Sequence, residues 1–184
     1  KCKAGTYTKA SGQSACLPAT PGFYVRSDRA SKQEECDKGK FSGSGQSKCD
    51  SCPSGSYANS SGAASCKFAP VGSYIVDSTE SPQPCLKGTY APGPGLDKCI
   101  DCSLGSFAAG TGAEECKLAA AGSFVDKERS SEQKQCPAGS YTKEQGQSAC
   151  LPAAPGTKVP TKGWSKEPEK CPEGEYSGPG AEKC

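Results

Sequence analysis

The stretch Cys52-Pro53-Ser54-Gly55-Ser56-Tyr57-Ala58-Asn59-Ser60-Ser61-Gly62-Ala63-Ala64-Ser65-Cys66 decides the fold. Two cysteines bracket it. A glycine stands three residues after the first, an aromatic two residues further, and a second glycine four residues before the last. A stretch this short, with Gly and Ser every few positions, cannot sustain a helix. It can sustain a pair of very short strands closed by a cross-link.

The frame recurs along the whole chain. Gly5, Gly22, Gly39, Gly55, Gly72, Gly88, Gly105, Gly122, Gly139, Gly156 and Gly174 are 16 to 18 residues apart. Two residues after each comes Tyr7, Tyr24, Phe41, Tyr57, Tyr74, Tyr90, Phe107, Phe124, Tyr141 or Tyr176, with Lys158 the single exception. These glycines number eleven repeats, from repeat 1 at Gly5 to repeat 11 at Gly174. A fixed period of this kind marks a repeat architecture, and such architectures carry most of their contacts between neighbours. The fold expected is a small disulfide-rich all-β array, an elongated, solenoid-like rod with almost no helix. Each repeat is expected to touch only the next. Strands stacked at about 4.8 Å per repeat and hairpins laid end to end are both compatible with the period.

Seven repeats read C-x2-G-x-[YF]-x3-4-G-x3-C, and every cysteine belongs to one of them. Uniform spacing favours local bridges: Cys2–Cys16, Cys36–Cys49, Cys52–Cys66, Cys85–Cys99, Cys102–Cys116, Cys136–Cys150 and Cys171–Cys184. An interleaved pairing, Cys36–Cys52 with Cys49–Cys66 and its counterpart among Cys85 to Cys116, stays open. Four repeats have no cysteine. Ala19, Ala69, Ala119 and Ala153 stand at the first cysteine position, and spacing puts Gln33, Gln83, Gln133 and Glu167 at the second. One residue past the aromatic these four have Val25, Ile75, Val125 and Val159, where the cysteine repeats have small residues. A disulfide closing such a loop contributes about 3 kcal/mol. Burying a branched aliphatic contributes about 1.5–3 kcal/mol. The two kinds of repeat exchange one stabiliser for another.

A longer period lies above this one. Cys2, Cys52 and Cys102 are 50 residues apart, which divides the chain into modules 1–51, 52–101, a shortened 102–135, and 136–184. Residues 12–22 and 146–156 differ at one position, as recent duplication would leave them. The terminal repeats carry no distinctive cap, and the array is expected to continue beyond both ends.

Composition narrows the function. The chain of 184 residues has 14 Cys, 23 Gly, 15 Pro, no His and no Met, and 33% apolar residues. Its thirteen aromatics and few Leu or Ile cannot fill one large core. Paired cysteines at this density belong to an oxidising compartment, so the expected location is extracellular, secreted or cell-surface. No apolar run reaches the roughly 20 residues of a membrane span. Basic and acidic residues number 22 and 20 and are interspersed, leaving no patch for nucleic acid. Catalysis lacks a histidine and any grouping of titratable residues, and no cofactor is expected. The C-x2-C pairs Cys49/Cys52 and Cys99/Cys102 would suit zinc or a redox motif, but each cysteine already has a place in a repeat.

Two residues stand apart. Asn59, the only asparagine, opens the glycosylation sequon Asn59-Ser60-Ser61 in an expected exposed turn. Trp164, the only tryptophan, lies in the repeat that has Lys158 at the aromatic position. It is either a partner anchor or a filler for the missing aromatic.

The run Cys49-Asp50-Ser51-Cys52-Pro53-Ser54-Gly55-Ser56-Tyr57, closing on Gly62-Ala63-Ala64-Ser65-Cys66, resembles ephrin-receptor-like cysteine-rich repeats. It is also similar to the first submodule of tumour-necrosis-factor receptor cysteine-rich domains. The resemblance implies an elongated extracellular disulfide-bonded rod, and the cysteine-free repeats depart from the family pattern. The function expected is that of a filament protomer, surface coat or stalk, with self-association or another extracellular protein as partner and covalent glycans. The alternative is a receptor or adhesion ectodomain that binds a protein along one edge.

Overall fold

A computed structural model describes residues 1–184. It contains no helix. Its twenty strands are each two residues long and form ten antiparallel pairs, one in each of repeats 1 to 10. In repeat 4, Ser56–Tyr57 pairs with Lys67–Phe68, Ser56 opposite Phe68 and Tyr57 opposite Lys67. The first strand carries the aromatic of the frame. The second starts directly after the second cysteine. The bridge therefore staples the hairpin at the point where its strands begin to pair.

The sulfurs are joined in the pairs Cys2–Cys16, Cys36–Cys49, Cys52–Cys66, Cys85–Cys99, Cys102–Cys116, Cys136–Cys150 and Cys171–Cys184. Their Cα atoms lie 5.5 to 5.8 Å apart, inside the range that a disulfide requires. No cysteine is free.

The chain divides into two compact parts, Lys1–Pro84 with Gly93–Lys98, and Cys85–Pro92 with Cys99–Cys184. Within the first part, successive repeats are joined by one backbone pattern. The Gly22 amide donates to the Ser42 carbonyl at 2.8 Å, the Gly22 carbonyl accepts from Cys36 N at 2.9 Å, and Val25 N donates to Gln46 O at 3.0 Å. The second part repeats it. Gly122 N donates to Thr142 O at 2.9 Å, Gly122 O accepts from Cys136 N at 2.9 Å, and Val125 N donates to Gln147 O at 3.0 Å. Strands of two residues are too short to satisfy their own backbone. The join to the next repeat supplies the missing partners, as buried amides require.

Contacts reach further than the neighbouring repeat, which corrects the nearest-neighbour expectation. In the first part a Cβ on Gly5 would overlap the carbonyl of Gly45, and one on Gly22 that of Gly62. In the second part Gly105 stands so against Gly146, and Gly122 against Gly163. Each pair is two repeats apart. The amide of the later glycine also reaches back past its own repeat, since Gly45 N donates to Ala19 O and Gly146 N to Ala119 O, both at 2.8 Å. Backbone packs directly on backbone here, and a side chain would hold the repeats apart.

The core is a file of small residues rather than of aromatics. The first cysteine or its alanine replacement is buried in most repeats, as is the residue after the aromatic. The aromatics are mostly half-buried, although Tyr7 is buried and Tyr176 is 87% exposed. The two core positions are complementary in volume. In repeat 3 Ser42 Oγ lies 3.3 Å from Cys36 Sγ and donates to Phe23 O at 2.9 Å. In repeat 9 Thr142 Oγ1 is 3.9 Å from Cys136 Sγ. Beside sulfur this neighbour is Ser, Ala or Thr, and no wholly aliphatic branched side chain stands there. Where alanine replaces the cysteine, the branched side chains of Val25, Ile75, Val125 and Val159 are buried in its place.

Candidate functional site on the repeat surface

The second cysteine position has its own replacement in two of the cysteine-free repeats. In repeat 2 the Gln33 carbonyl oxygen accepts from Thr20 N at 2.9 Å, and its amide donates to Thr20 Oγ1 at 2.8 Å. In repeat 8 Gln133 accepts from Ala120 N at 2.7 Å. A side-chain amide thus closes the loop that a disulfide closes elsewhere. Spacing alone assigned Gln83 and Glu167 to the same role, and strand register corrects this. Gln83 lies inside a strand opposite Tyr74, and Glu169 lies opposite Lys158, as Glu34 does opposite Tyr24. The residues that occupy the slot are Pro82 and Pro168. Both of these repeats differ in length from repeats 2 and 8, and counting from the glycine cannot see where the residue is lost or gained.

The second glycine also has replacements that the sequence concealed. Arg29 and Arg129 take φ of 58° at that position in repeats 2 and 8. Their amides donate to Cys2 O at 2.9 Å and Cys102 O at 2.8 Å, as the glycine amides do elsewhere. Non-glycine residues rarely adopt this conformation. Their spacing of seven residues from Gly22 and Gly122 was the available signal. In repeat 5 the turn is built differently. The Asp77 carboxylate accepts from Thr79 N at 2.8 Å and Thr79 Oγ1 at 2.7 Å, and these bonds hold its carboxyl below the ordinary range.

Trp164 is half-buried. Its Nε1 donates to the carbonyl of Glu167 at 3.0 Å, within its own repeat, and its carbonyl accepts from Thr142 N at 3.2 Å. Lys158 is half-buried too and lies 3.9 Å from Glu169. Asn59 is exposed, seven residues from each cysteine of the Cys52–Cys66 loop. Its Nδ2 donates to Ser81 Oγ at 3.1 Å.

Charges lie on the surface in isolated pairs. Lys134 bonds Asp126 at 2.9 Å and keeps its carboxyl below the ordinary range, and Glu167 raises the Lys143 ammonium above its own. Such pairs contribute little to stability. A groove of about 340 Å³ between repeats 1 and 2 is lined by Lys1, Thr8, Gln13 and Arg29 among others, with no carboxylate among its residues. No three His, Cys, Asp or Glu residues are grouped as a metal would need, and no helix is long and apolar enough to cross a membrane.

Residues 39–81 match the family described as tyrosine-protein kinase ephrin type A/B receptor-like. The ephrin-receptor-like segment is about a quarter of the chain and covers the Cys52–Cys66 hairpin and most of cysteine-free repeat 5. The match and the seven disulfides fit an extracellular protein. No curated protein matches the chain.

Proposed function

We propose that the chain is a non-enzymatic structural segment of an extracellular filament, surface coat or stalk, joined to further copies of itself or to another extracellular protein. The observation that carries this reading is the use made of the buried surface. In each compact part the same backbone join and the same glycine-to-carbonyl packing recur from repeat to repeat. Buried groups serve to connect repeats, and the connections between strands are short. An array built this way resists unfolding and proteolysis along its length, which is what a mechanical element requires.

Trp164 bears on the alternative, a receptor or adhesion ectodomain. An anchor residue offers its ring and its N–H to a partner. The Trp164 N–H is already used by Glu167 O in its own loop, which supports the structural reading over the receptor reading.

Negative-stain electron microscopy of the protein from its native source tests this. Regular fibres, a coat lattice or tethered stalks are the expected outcome. Discrete particles that co-purify with a stoichiometric protein ligand, and lose it on Trp164→Ala, would overturn it.

A further inference from the structure

We propose that Asn59 carries an N-linked oligosaccharide and that this glycan covers the turn 77–82 of repeat 5. The inference rests on the extracellular reading above. The sequon Asn59-Ser60-Ser61 is exposed at all three residues. It sits at the middle of the Cys52–Cys66 loop, as far along the chain from the disulfide as that loop allows. A bulky group at this point displaces no packed side chain.

The folded geometry accommodates the product as well as the acceptor. Transfer takes the sugar from a lipid-pyrophosphate-linked oligosaccharide. The bond between the anomeric carbon and the pyrophosphate oxygen breaks, a bond from that carbon to Asn59 Nδ2 forms, the lipid pyrophosphate leaves, and one Nδ2 proton is lost to the transferase. One N–H remains on the nitrogen. Asn59 Nδ2 needs only one N–H for its bond to Ser81 Oγ, 3.1 Å away. The glycosylated side chain can therefore keep its contact with repeat 5 while the sugar takes the position of the other hydrogen.

The Ala58 amide donates to Ser78 O at 2.9 Å, which fixes the adjoining backbone on the same turn. The first sugar is thus tied over residues 77–82, where Asp77, Thr79, Glu80 and Ser81 are exposed. With the glycan in place this face is closed to other copies of the chain, and contacts between copies would have to use other faces.

The test is secretion of the full chain from cultured eukaryotic cells, followed by peptide N-glycosidase treatment in heavy-oxygen water and mass mapping of the peptide 49–67. Heavy oxygen at residue 59, lost in Ser61→Ala and kept in Ser81→Ala, is the expected result. A secreted chain with seven disulfides and an unmodified Asn59 would overturn the glycan alone. A chain that is not exported and retains free thiols overturns the extracellular reading, and the glycan falls with it.

Discussion

The carbonyl oxygen of Gly146 fills the space in which a side chain on Gly105 would begin, although the two lie two repeats apart. Gly105 also has φ of 78°, which costs a residue with a Cβ about 1–2 kcal/mol. Displacing a packed backbone adds about 1–3 kcal/mol. Gly105→Ala is therefore expected to destabilise by about 2–5 kcal/mol. Gly12 has nearly the same φ, 77°, but nothing stands within 4 Å of its would-be Cβ. Gly12→Ala should cost only about 1–2 kcal/mol. Urea unfolding of the two variants measures the difference, and equal losses would remove the two-repeat contact as a stabilising feature.

Strand register makes a second prediction. Ala119 and Gln133 stand to their hairpin as Cys102 and Cys116 stand to theirs, because Ser123 pairs with Gln135 as Ser106 pairs with Leu118. Ala119→Cys with Gln133→Cys should close spontaneously once Val125→Ala gives the sulfur the room it has beside Ala108. In repeat 5, Ser73 pairs with Pro84, which makes Pro82 the matching position. With Ile75→Ala to make room for sulfur, Ala69→Cys with Pro82→Cys is expected to bridge, while Ala69→Cys with Gln83→Cys is expected to leave free thiols. Thiol titration under denaturing conditions distinguishes them.

The repeat period, the cysteine frame and the all-β class were legible because each rests on residue types that little else can replace. Gly5 and Gly22 recur where backbone must meet backbone. Cys52 and Cys66 sit where a hairpin can be stapled. What escaped the sequence has a common cause. Arg29 and Arg129 hold a left-handed conformation that their side chains do not advertise. Pro82 and Pro168 fill a slot that shifted when the repeat changed length. The packing of Gly105 on Gly146 joins residues 41 positions apart, and no local pattern encodes it. The aromatics drew attention by their regularity, yet most are half-buried, and the core lies one residue further on, at Val125 and Val159.

Asp77 gives the repeat 5 turn a dependence on pH. Its carboxyl is held low first by the Thr79 amide and then by the Thr79 hydroxyl. A group whose folded pKa is depressed contributes stability above its unfolded pKa and loses it as pH falls through the folded value. The Thr79 amide should therefore stay protected from exchange at neutral pH and lose protection below the ordinary carboxylate range of about 4. Asp77→Asn keeps an acceptor for both bonds but does not titrate. It should hold protection across the same range after correction for intrinsic exchange. Loss of protection at the same pH in both proteins would show that the carboxylate is not the controlling group.

The volume exchange between the two kinds of repeat predicts that one can be converted into the other. Removing the Cys102–Cys116 bridge with Cys102→Ala and Cys116→Ala should cost about 3 kcal/mol, from the freedom returned to the unfolded loop. Ala108, buried beside the vacated position, has the place that Val125 fills in the next repeat. Adding Ala108→Val restores two buried carbons, about 1.6 kcal/mol. Making the second change Cys116→Gln in place of alanine allows a bond to Ser103 N of the kind that Gln133 makes to Ala120 N, about 1 kcal/mol. The triple variant Cys102→Ala, Cys116→Gln, Ala108→Val should then recover most of the loss, and Ala108→Val alone should destabilise by overpacking against sulfur. Denaturant midpoints for the three proteins decide it. If Ala108→Val is harmless with the disulfide intact, the sulfur is not what keeps that position small.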